Sequence, residues 1–231
     1  MTNRRTQMGR RRLHGRLAEQ MGGLMRRRLL GVTLVVFAFL LPGAAGAEQP
    51  NPGEIVKDTT ERVLEELRTY ENNLEDDPDF IYDLVRKEVL PHFNFQLITR
   101  FSLGRHWNQA SAEQRERFTE ELKTLMLRTY SQPLLEYDGE DVRYHAERVD
   151  EDRGRGSVRV EVAQRDGPAI PLTYQFRKHD EHGWQVYDVV IEGVSLVTNY
   201  RDTFSSEIRR NGMEGLLERL HERNRRGETE F

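Results

Sequence analysis

The chain has 231 residues, no cysteine and a formal net charge of −4. Residues 1–47 hold nine arginines and one acidic residue, so residues 48–231 carry 26 basic and 38 acidic groups and a formal charge of −12. Such an acidic surface repels phosphate backbones and anionic headgroups, which argues against nucleic-acid binding and against permanent adsorption to a bilayer. Without cysteine, a domain of this length must be stabilised by packing rather than by disulfides.

An export signal is predicted at the amino terminus. Arg26–Arg28 precede an apolar run of 13 residues, Leu29–Leu41, which is followed by Pro42 and by Ala45-Gly46-Ala47. The order basic, apolar, small predicts a secretory signal peptide that is cleaved after Ala47. The alternative is an uncleaved membrane anchor, but the run is shorter than the roughly 20 residues that span a bilayer. We therefore expect residues 48–231 to work outside the cytoplasm.

Four helices are predicted before residue 134, from apolar residues at helical spacing and from capping and breaking residues at their ends. The acidic segment Leu74–Asp79 is predicted to be a loop. The helices run from Asn51 to about Tyr70, from Pro78 to near Leu90, from Asn94 to Leu103 with Gly104 as C-cap, and from the capping box Ser111-x-x-Gln114 to Pro133, which is expected to kink or end the helix.

The hydrophobic period changes to two from Val142, which predicts strands. Val158, Val160 and Val162 alternate with polar residues, and the segment around Tyr174 alternates in the same way. Short connections at 150–156, 165–167 and 179–183 predict hairpins, and hence an antiparallel meander of about four strands. Helical spacing returns from Val194 to Asn211-Gly212 and from Met213 to about Arg223, before a charged tail from about residue 224.

These elements predict a single α+β domain over residues 48–231, in which about six to seven helices cover one face of an antiparallel sheet. The helices are more apolar than the covering of one sheet face requires. This surplus of apolar side chains is a first indication of an internal cavity.

Two residues near the end of the predicted sheet are candidates for catalysis. Gly193-Val194-Ser195-Leu196-Val197 is similar to a nucleophile elbow, but the glycine two residues after the serine is missing. Ser195 or Gly193 is therefore predicted to start the following helix. Asp188 lies among apolar residues and is a candidate general base. Because no partner acid or histidine is evident by spacing, a structural role for Asp188, as a helix cap or as an acceptor for a Tyr or Trp donor, is favoured.

Neither a metal site nor a phosphate loop is predicted. His179 and His182 are close in sequence, but they lie in a charged hairpin tip with no cysteine or third histidine nearby. Leu103-Gly104-Arg105-His106 contains one glycine and is interpreted as a helix end.

Seven short motifs follow one another along the chain: Phe101-Ser-Leu-Gly104-Arg-His-Trp107, Ser111-Ala-Glu-Gln114-Arg115-x-x-Phe118, Pro171-Leu-Thr-Tyr174, Gly183-Trp184-Gln-Val-Tyr-Asp188, Ile191-Glu-Gly193-Val194-Ser195-Leu196, Asn199-Tyr200-Arg201-Asp-Thr-Phe204 and Gly212-Met-Glu-Gly-Leu216. With these motifs, the chain from about Asn51 to Leu220 resembles the MlaC family of periplasmic phospholipid-binding proteins, also called toluene-tolerance auxiliary proteins.

The resemblance implies an NTF2-like sheet and helices around a deep apolar pocket that holds the tails of a diacyl glycerophospholipid, with no other cofactor. It implies a non-enzymatic, monomeric carrier that shuttles lipid and maintains the lipid asymmetry of the outer membrane. The implied partners are an outer-membrane lipoprotein–porin complex and an inner-membrane ABC transporter with an MCE-domain subunit.

Apolar residues of the helices and strands are then expected to line the pocket rather than only to fill a core. The expected lipid-binding residues are Val63, Leu67, Ile81, Leu84, Val85, Phe93, Leu97, Ile98, Phe101, Leu122, Leu125, Met126, Tyr130, Leu134, Tyr174, Phe176, Val189, Ile191, Leu196 and Tyr200.

Two other functions stay open at this point. One is an NTF2-like enzyme that acts on a small apolar substrate with Asp188 as base, and the other is a periplasmic adaptor with a solid core. The period of two also leaves open which face of the fourth strand is buried, since Trp184 with Val186 or Tyr187 with Val189 would satisfy the pattern.

Overall fold

The computed structural model describes residues 49–70, 79–135, 141–164 and 167–228. The predicted signal peptide and its cleavage site, Pro78 and most of the acidic loop, and the connection at 165–166 lie outside these ranges. The helices are α1 (Pro52–Tyr70), α2 (Asp79–Leu84), α3 (Phe95–Leu103), α4 (Ala112–Leu135) and α5 (Leu196–Arg226). The strands are β1 (Val142–Asp150), β2 (Arg155–Gln164), β3 (Gly167–His179), β4 (Gly183–Ile191) and β5 (Val194–Ser195).

Short polar side chains begin four of the helices, including α1, where Asn51 Oδ1 accepts from Glu54 N at 2.9 Å. Ser111 and Gln114 exchange two hydrogen bonds: Gln114 N donates to Ser111 Oγ at 3.1 Å, and Ser111 N donates to Gln114 Oε1 at 3.0 Å. Asn94 accepts from Leu97 N at 2.9 Å, and Ser195 Oγ accepts from Thr198 N at 3.1 Å. These caps satisfy amide groups that the first helical turn leaves without partners.

The predicted helix from Pro78 to Leu90 is wrong in its second half. The α-helix ends at Leu84, and the chain continues as a π-helical turn, Val85–Val89, and a short 3-10 turn, Leu90–His92. Pro91 contributes to the end of the helix because it has no amide hydrogen to donate to the preceding turn, whereas Leu90 before it keeps helical angles of φ −59° and ψ −29°.

The five strands form one antiparallel sheet in the order β1-β2-β3-β4-β5. The predicted number of about four is one short, because Val194 and Ser195 pair with Ile191 and Val190 before α5 begins. With α5 taken as one helix, the described residues contain five α-helices, compared with the six to seven predicted. The predicted break at Asn211-Gly212 is confirmed, because Gly212 has the non-helical angles φ 73° and ψ 178° and divides α5 into two helical segments.

A bulge in β4 decides which residues face the helices. Gln175 of β3 is opposite Asp188, whereas the next residue, Phe176, is opposite Val186. The extra residue in β4 turns Val186 and Val189 to the same side of the sheet. Both are buried, as is Trp184, whereas Tyr187 and Asp188 are only half-buried.

Two apolar clusters form the core, and the larger one holds the helices on this inner face. The larger one joins the N-terminal half of α1, α3, α4 and α5 to β2, β3 and β4, and includes fully enclosed Phe118, Phe176 and Phe204. The smaller one joins Val63 and Leu67 of α1 to α2, the π-helical turn and Leu127 of α4. In the described residues, no helix is long and apolar enough to cross a membrane.

Candidate functional site

Part of the inner face of the sheet is apolar and yet incompletely covered. Val142, Leu172, Tyr174 and Ile191 pack against the larger cluster, but each is only half-buried. Tyr144 of β1 is 42% exposed. We call these five residues the inner recess.

The strand register explains why the residues of the inner recess share one surface. Tyr144 is opposite Val160, Val160 is opposite Leu172, and Leu172 is opposite Ile191. Directly opposed residues of an antiparallel sheet lie on the same face. Val160 at the centre of this row is buried, whereas its neighbours on either side are not. The helices therefore cover the middle of the row and leave apolar side chains accessible beside it.

Tyrosine hydroxyls are the polar groups of this region. The Tyr130 and Tyr200 hydroxyls of α4 and α5 are 3.4 Å apart, and burial raises the pKa of each. Burial also raises the pKa of Tyr144, partly offset by a hydrogen bond with Thr60 of α1. The pKa of Tyr174 is raised by burial to about 12. All four side chains therefore stay neutral at physiological pH and act as hydrogen-bond donors or acceptors.

The structure divides the twenty expected lipid-binding residues into two clusters and three outlying positions. Eleven belong to the larger cluster or pack against it: Phe93, Ile98, Leu122, Leu125, Met126, Tyr174, Phe176, Val189, Ile191, Leu196 and Tyr200. Six belong to the smaller cluster or pack against it: Val63, Leu67, Ile81, Leu84, Val85 and Leu134. Leu97 lines a surface groove, Phe101 packs edge-on against Tyr187 at 5.7 Å, and Tyr130 is 36% exposed.

Asp188 is fully engaged in holding the start of α5. Its Oδ1 accepts from Val197 N at 3.1 Å, and its Oδ2 accepts from Ser195 Oγ at 2.6 Å. Ser195 Oγ in turn caps Thr198 N. Both candidates for catalysis are thus bonded to each other and to the helix terminus. This arrangement fits the structural role that the sequence favours for each of them.

The two close histidines form a stacked pair on the β3–β4 turn. The ring centroids of His179 and His182 are 5.0 Å apart, and His179 Nδ1 accepts from Glu181 N at 3.2 Å. Within the described ranges, no group of three or more potential metal ligands comes together.

A large basic groove is the feature that sequence reasoning missed. It has a volume of about 1470 Å³ and lies between α3, α4 and the β3–β4 hairpin. Arg115 covers the Trp107 ring at 4.5 Å, and Lys123 lies 5.4 Å from the centre of the Phe95 ring. Arg115, Thr119, Lys123 and Leu127 are spaced by four residues, so one stripe of α4 lines the groove. That spacing is visible in the sequence, but the wall opposite is formed by distant segments.

Comparison with known proteins identifies the family. The model of the family described as "MlaC protein" matches residues 57–222, which is most of the chain. The chain belongs to the MlaC family. The match contains all seven motifs and extends from within α1 to within α5.

Two curated MlaC-type relatives match over most of their length. The chain is 27% identical over 193 residues to the intermembrane phospholipid transport system binding protein MlaC of Haemophilus influenzae, which covers 83% of this chain and 90% of that protein. It is 26% identical over 190 residues to the toluene tolerance protein ttg2D of Pseudomonas putida, which covers 82% and 85%. The alignments therefore extend over nearly whole proteins.

The fold is also that of a solved MlaC-type structure. A phospholipid-binding protein from Ralstonia solanacearum, solved at 1.53 Å in complex with a phospholipid, is 30% identical and superposes with a TM-score of 0.68. The match covers 75% of this chain and 96% of that protein. The mixed helical and antiparallel fold predicted from the sequence is thereby confirmed.

Proposed function

We propose that this MlaC-family chain is a periplasmic carrier that binds one diacyl glycerophospholipid between the inner face of its sheet and the helices. The observation that carries the proposal is the inner recess, an apolar surface inside the fold that the helices leave partly uncovered. A protein with the same fold and 30% identity has been solved with a phospholipid bound. Apolar surface of this kind is what acyl chains require of a binding site.

The physical need for a carrier follows from the ligand. Two acyl chains contain about 30 methylenes, and exposing each to water costs about 0.8 kcal/mol, or about 24 kcal/mol for the lipid. A free phospholipid therefore crosses an aqueous space extremely slowly. A protein with an apolar interior and a charged exterior removes most of this cost. The formal charge of −12 on residues 48–231 supplies such an exterior.

The route that we propose runs between the two membranes of the cell envelope. The predicted signal peptide exports the chain, and cleavage after Ala47 releases it as a monomer into the periplasm. There it exchanges lipid with an outer-membrane lipoprotein–porin complex and with an inner-membrane ABC transporter that has an MCE-domain subunit. This exchange maintains the lipid asymmetry of the outer membrane. The proposal includes no enzymatic step, and Asp188 supports that part because both of its carboxylate oxygens are bonded at the start of α5.

Mass spectrometry of lipid extracted from the purified protein tests the proposal. We expect about one diacyl glycerophospholipid per protein molecule, and transfer of lipid from donor vesicles to delipidated protein. Absence of both would refute the carrier and favour the adaptor.

A pair of neighbouring substitutions tests the location of the lipid. Leu172 lies in the inner recess, whereas Thr173 lies on the opposite face of the same strand, and both are half-buried. Leu172→Glu places a charge where we expect the tails and should reduce bound lipid at least about tenfold, since burying an unpaired carboxylate is unfavourable. Thr173→Glu is the matched control and should retain lipid. Circular dichroism of both variants establishes that they are folded, and equal lipid content would place the tails elsewhere.

A further inference from the structure

The basic groove between α3, α4 and the β3–β4 hairpin is separate from the inner recess. Among the described residues that line the groove, none belongs to the recess. Part of the groove wall is apolar, because Leu90, Phe93 and Leu97 are half-buried there and keep accessible surface. An accessible apolar surface that is bordered by charged side chains marks a place where another molecule docks.

The groove is positively charged on a chain that is negatively charged overall. Five cationic and three acidic side chains line it, which gives a formal charge of +2 with the histidines neutral, whereas residues 48–231 carry −12. The cationic residues Arg115, Lys123 and Arg177 are half-buried, whereas the three acidic residues are exposed. Solvent and salt screen exposed charges more strongly than partly buried ones. The interior of the groove therefore attracts carboxylates, although the chain as a whole repels them.

Two arginines of the groove are held in place and still have donors to offer. Arg115 covers the Trp107 ring at 4.5 Å, and its Nε donates to Trp107 O at 3.0 Å. One terminal amino group of Arg177 donates to Arg153 O at 3.3 Å. Within the part of the chain that the structure describes, neither guanidinium forms an ion pair with a carboxylate. Their other N–H groups are thus positioned to bind carboxylates of another molecule, for which the planar guanidinium is well suited.

The size of the groove fits a helical segment of another protein. Its volume of about 1470 Å³ exceeds the roughly 300–1,000 Å³ of small-ligand sites. A helix is about 10–12 Å wide and rises about 1.5 Å per residue, so this volume corresponds to roughly ten helical residues. The stripe of α4 from Arg115 to Leu127 is about 18 Å long by the same rise, which corresponds to about twelve residues. A flat bilayer surface, by contrast, does not enter a groove between two helices and a hairpin.

We propose that the basic groove docks an acidic amphipathic helix of about ten to twelve residues from a partner protein. The carboxylates of that helix pair with Arg115 and Arg177, and its apolar face covers Leu90 and Leu97. This inference goes beyond the carrier function, because the lipid and the partner helix occupy different sites and docking needs no bound lipid.

Fluorescence anisotropy with a designed peptide tests the inference. The probe is the labelled peptide EELAELLEELAE, whose leucines share one helix face, and the control probe is a scrambled peptide in which they do not. Peptide and protein are both acidic, so their overall charges oppose binding and only a local basic site can overcome this repulsion. We expect saturable binding of the amphipathic peptide at low salt, weaker by at least about tenfold in about 0.5 M NaCl. Absence of saturable binding, or equal binding of the scrambled peptide, overturns the inference.

Charge-reversal variants locate the binding site. Arg115→Glu combined with Lys123→Glu should weaken peptide binding at least about tenfold. Arg68→Glu combined with Arg148→Glu is the matched control, since both residues are exposed, lie outside the groove lining and change the net charge equally. The control should bind within about twofold of wild type, and equal weakening in both variants overturns the inference. Arg100→Glu changes an exposed residue of the groove, so it tests the site even if loss of the Trp107 contact unfolds the double variant.

Two further measurements separate this helix from other occupants of the groove. If the protein binds phosphatidylglycerol vesicles or dimerises, and the groove variant loses that property, a bilayer or a second copy is the occupant and the inference is wrong. Mass spectrometry should find the same lipid content in the groove variant as in wild type, and selective loss of lipid from the variant would make the groove part of the lipid site. Wild type without lipid would refute the carrier function and leave the groove inference standing.

Discussion

Replacing Asp188 by alanine removes two hydrogen bonds from the start of α5. The carboxylate accepts from Val197 N at 3.1 Å and from Ser195 Oγ at 2.6 Å. Loss of a capping side chain costs about 0.5–2 kcal/mol, and the favourable interaction of a carboxylate with the helix dipole contributes about 0.3–1 kcal/mol. The hydroxyl of Ser195 also loses this acceptor and is left with Thr198 Oγ1 at 3.1 Å. We therefore expect Asp188→Ala to lower the free energy of unfolding by about 2–4 kcal/mol.

Urea unfolding followed by circular dichroism at pH 7 measures this change. For a domain of this size, about 3 kcal/mol corresponds to a fall in Tm of about 6–12 °C. Asp188→Asn keeps one acceptor oxygen for Val197 N and should lose about half as much stability. Asp202→Ala is the control. The Asp202 side chain is exposed, and its ion pair with Arg201, at 3.6 Å, is long and solvent-screened, so we expect the free energy of unfolding to change by no more than about 0.5 kcal/mol.

The alanine and asparagine variants also separate a structural Asp188 from a catalytic one. A structural residue changes stability and leaves lipid uptake per folded molecule unaltered. If both variants were as stable as wild type, the capping role would be refuted. If either abolished a chemical turnover without changing stability, the enzyme alternative would gain support instead.

Three further predictions concern other parts of the chain. Burial alone would raise the pKa of Glu207, but hydrogen bonds from three neighbouring side chains hold it below its ordinary value of 4.5. The ionised form of Glu207 therefore adds stability that is present above about pH 4.5 and lost at lower pH. In urea titrations, Glu207→Gln should weaken this loss of stability at low pH. An unchanged pH dependence in the variant would contradict the role of Glu207. Gly104→Ala should lower the free energy of unfolding by about 1 kcal/mol in the same assay, because φ is 52° and the added Cβ would lie 3.0 Å from Arg201 Cδ. Unchanged stability would show that the backbone at this turn adapts to the side chain. Ala45→Leu should block cleavage, so that immunoblots show an uncleaved, membrane-bound precursor. Normal processing of this variant would show that the cleavage site lies elsewhere.

The local features of this chain are predictable from its sequence because they depend on residues a few positions apart. Ser111 and Gln114 form the predicted capping box, and Asn94 and Gly104 cap the two ends of α3. The alternation of Val158 and Val160 places both on the buried face of β2. Side-chain capping and strand periodicity need no knowledge of the tertiary fold.

The π-helical turn after Leu84 shows where local reasoning fails. Apolar spacing continues through Val85 and Val89, so the pattern predicts one helix to Leu90. Val85 is buried against the C-terminal half of α1 and against α4, and the backbone follows that packing toward Pro91. Helical propensity is a weak preference that tertiary contacts and a following proline override.

The order of the elements and the α+β class were determined by the sequence itself, because each depends on the composition and periodicity of contiguous segments. The export signal is predicted on the same kind of local evidence. Only the tertiary structure decided the rest. The β4 bulge put Val186 and Val189 on one face, and Asp188 found both of its partners beyond β4 at the start of α5. The distinction between filled core and inner recess likewise depends on how far helices from both ends of the chain extend over β3. Such contacts join residues that are distant in sequence, and no local pattern records them.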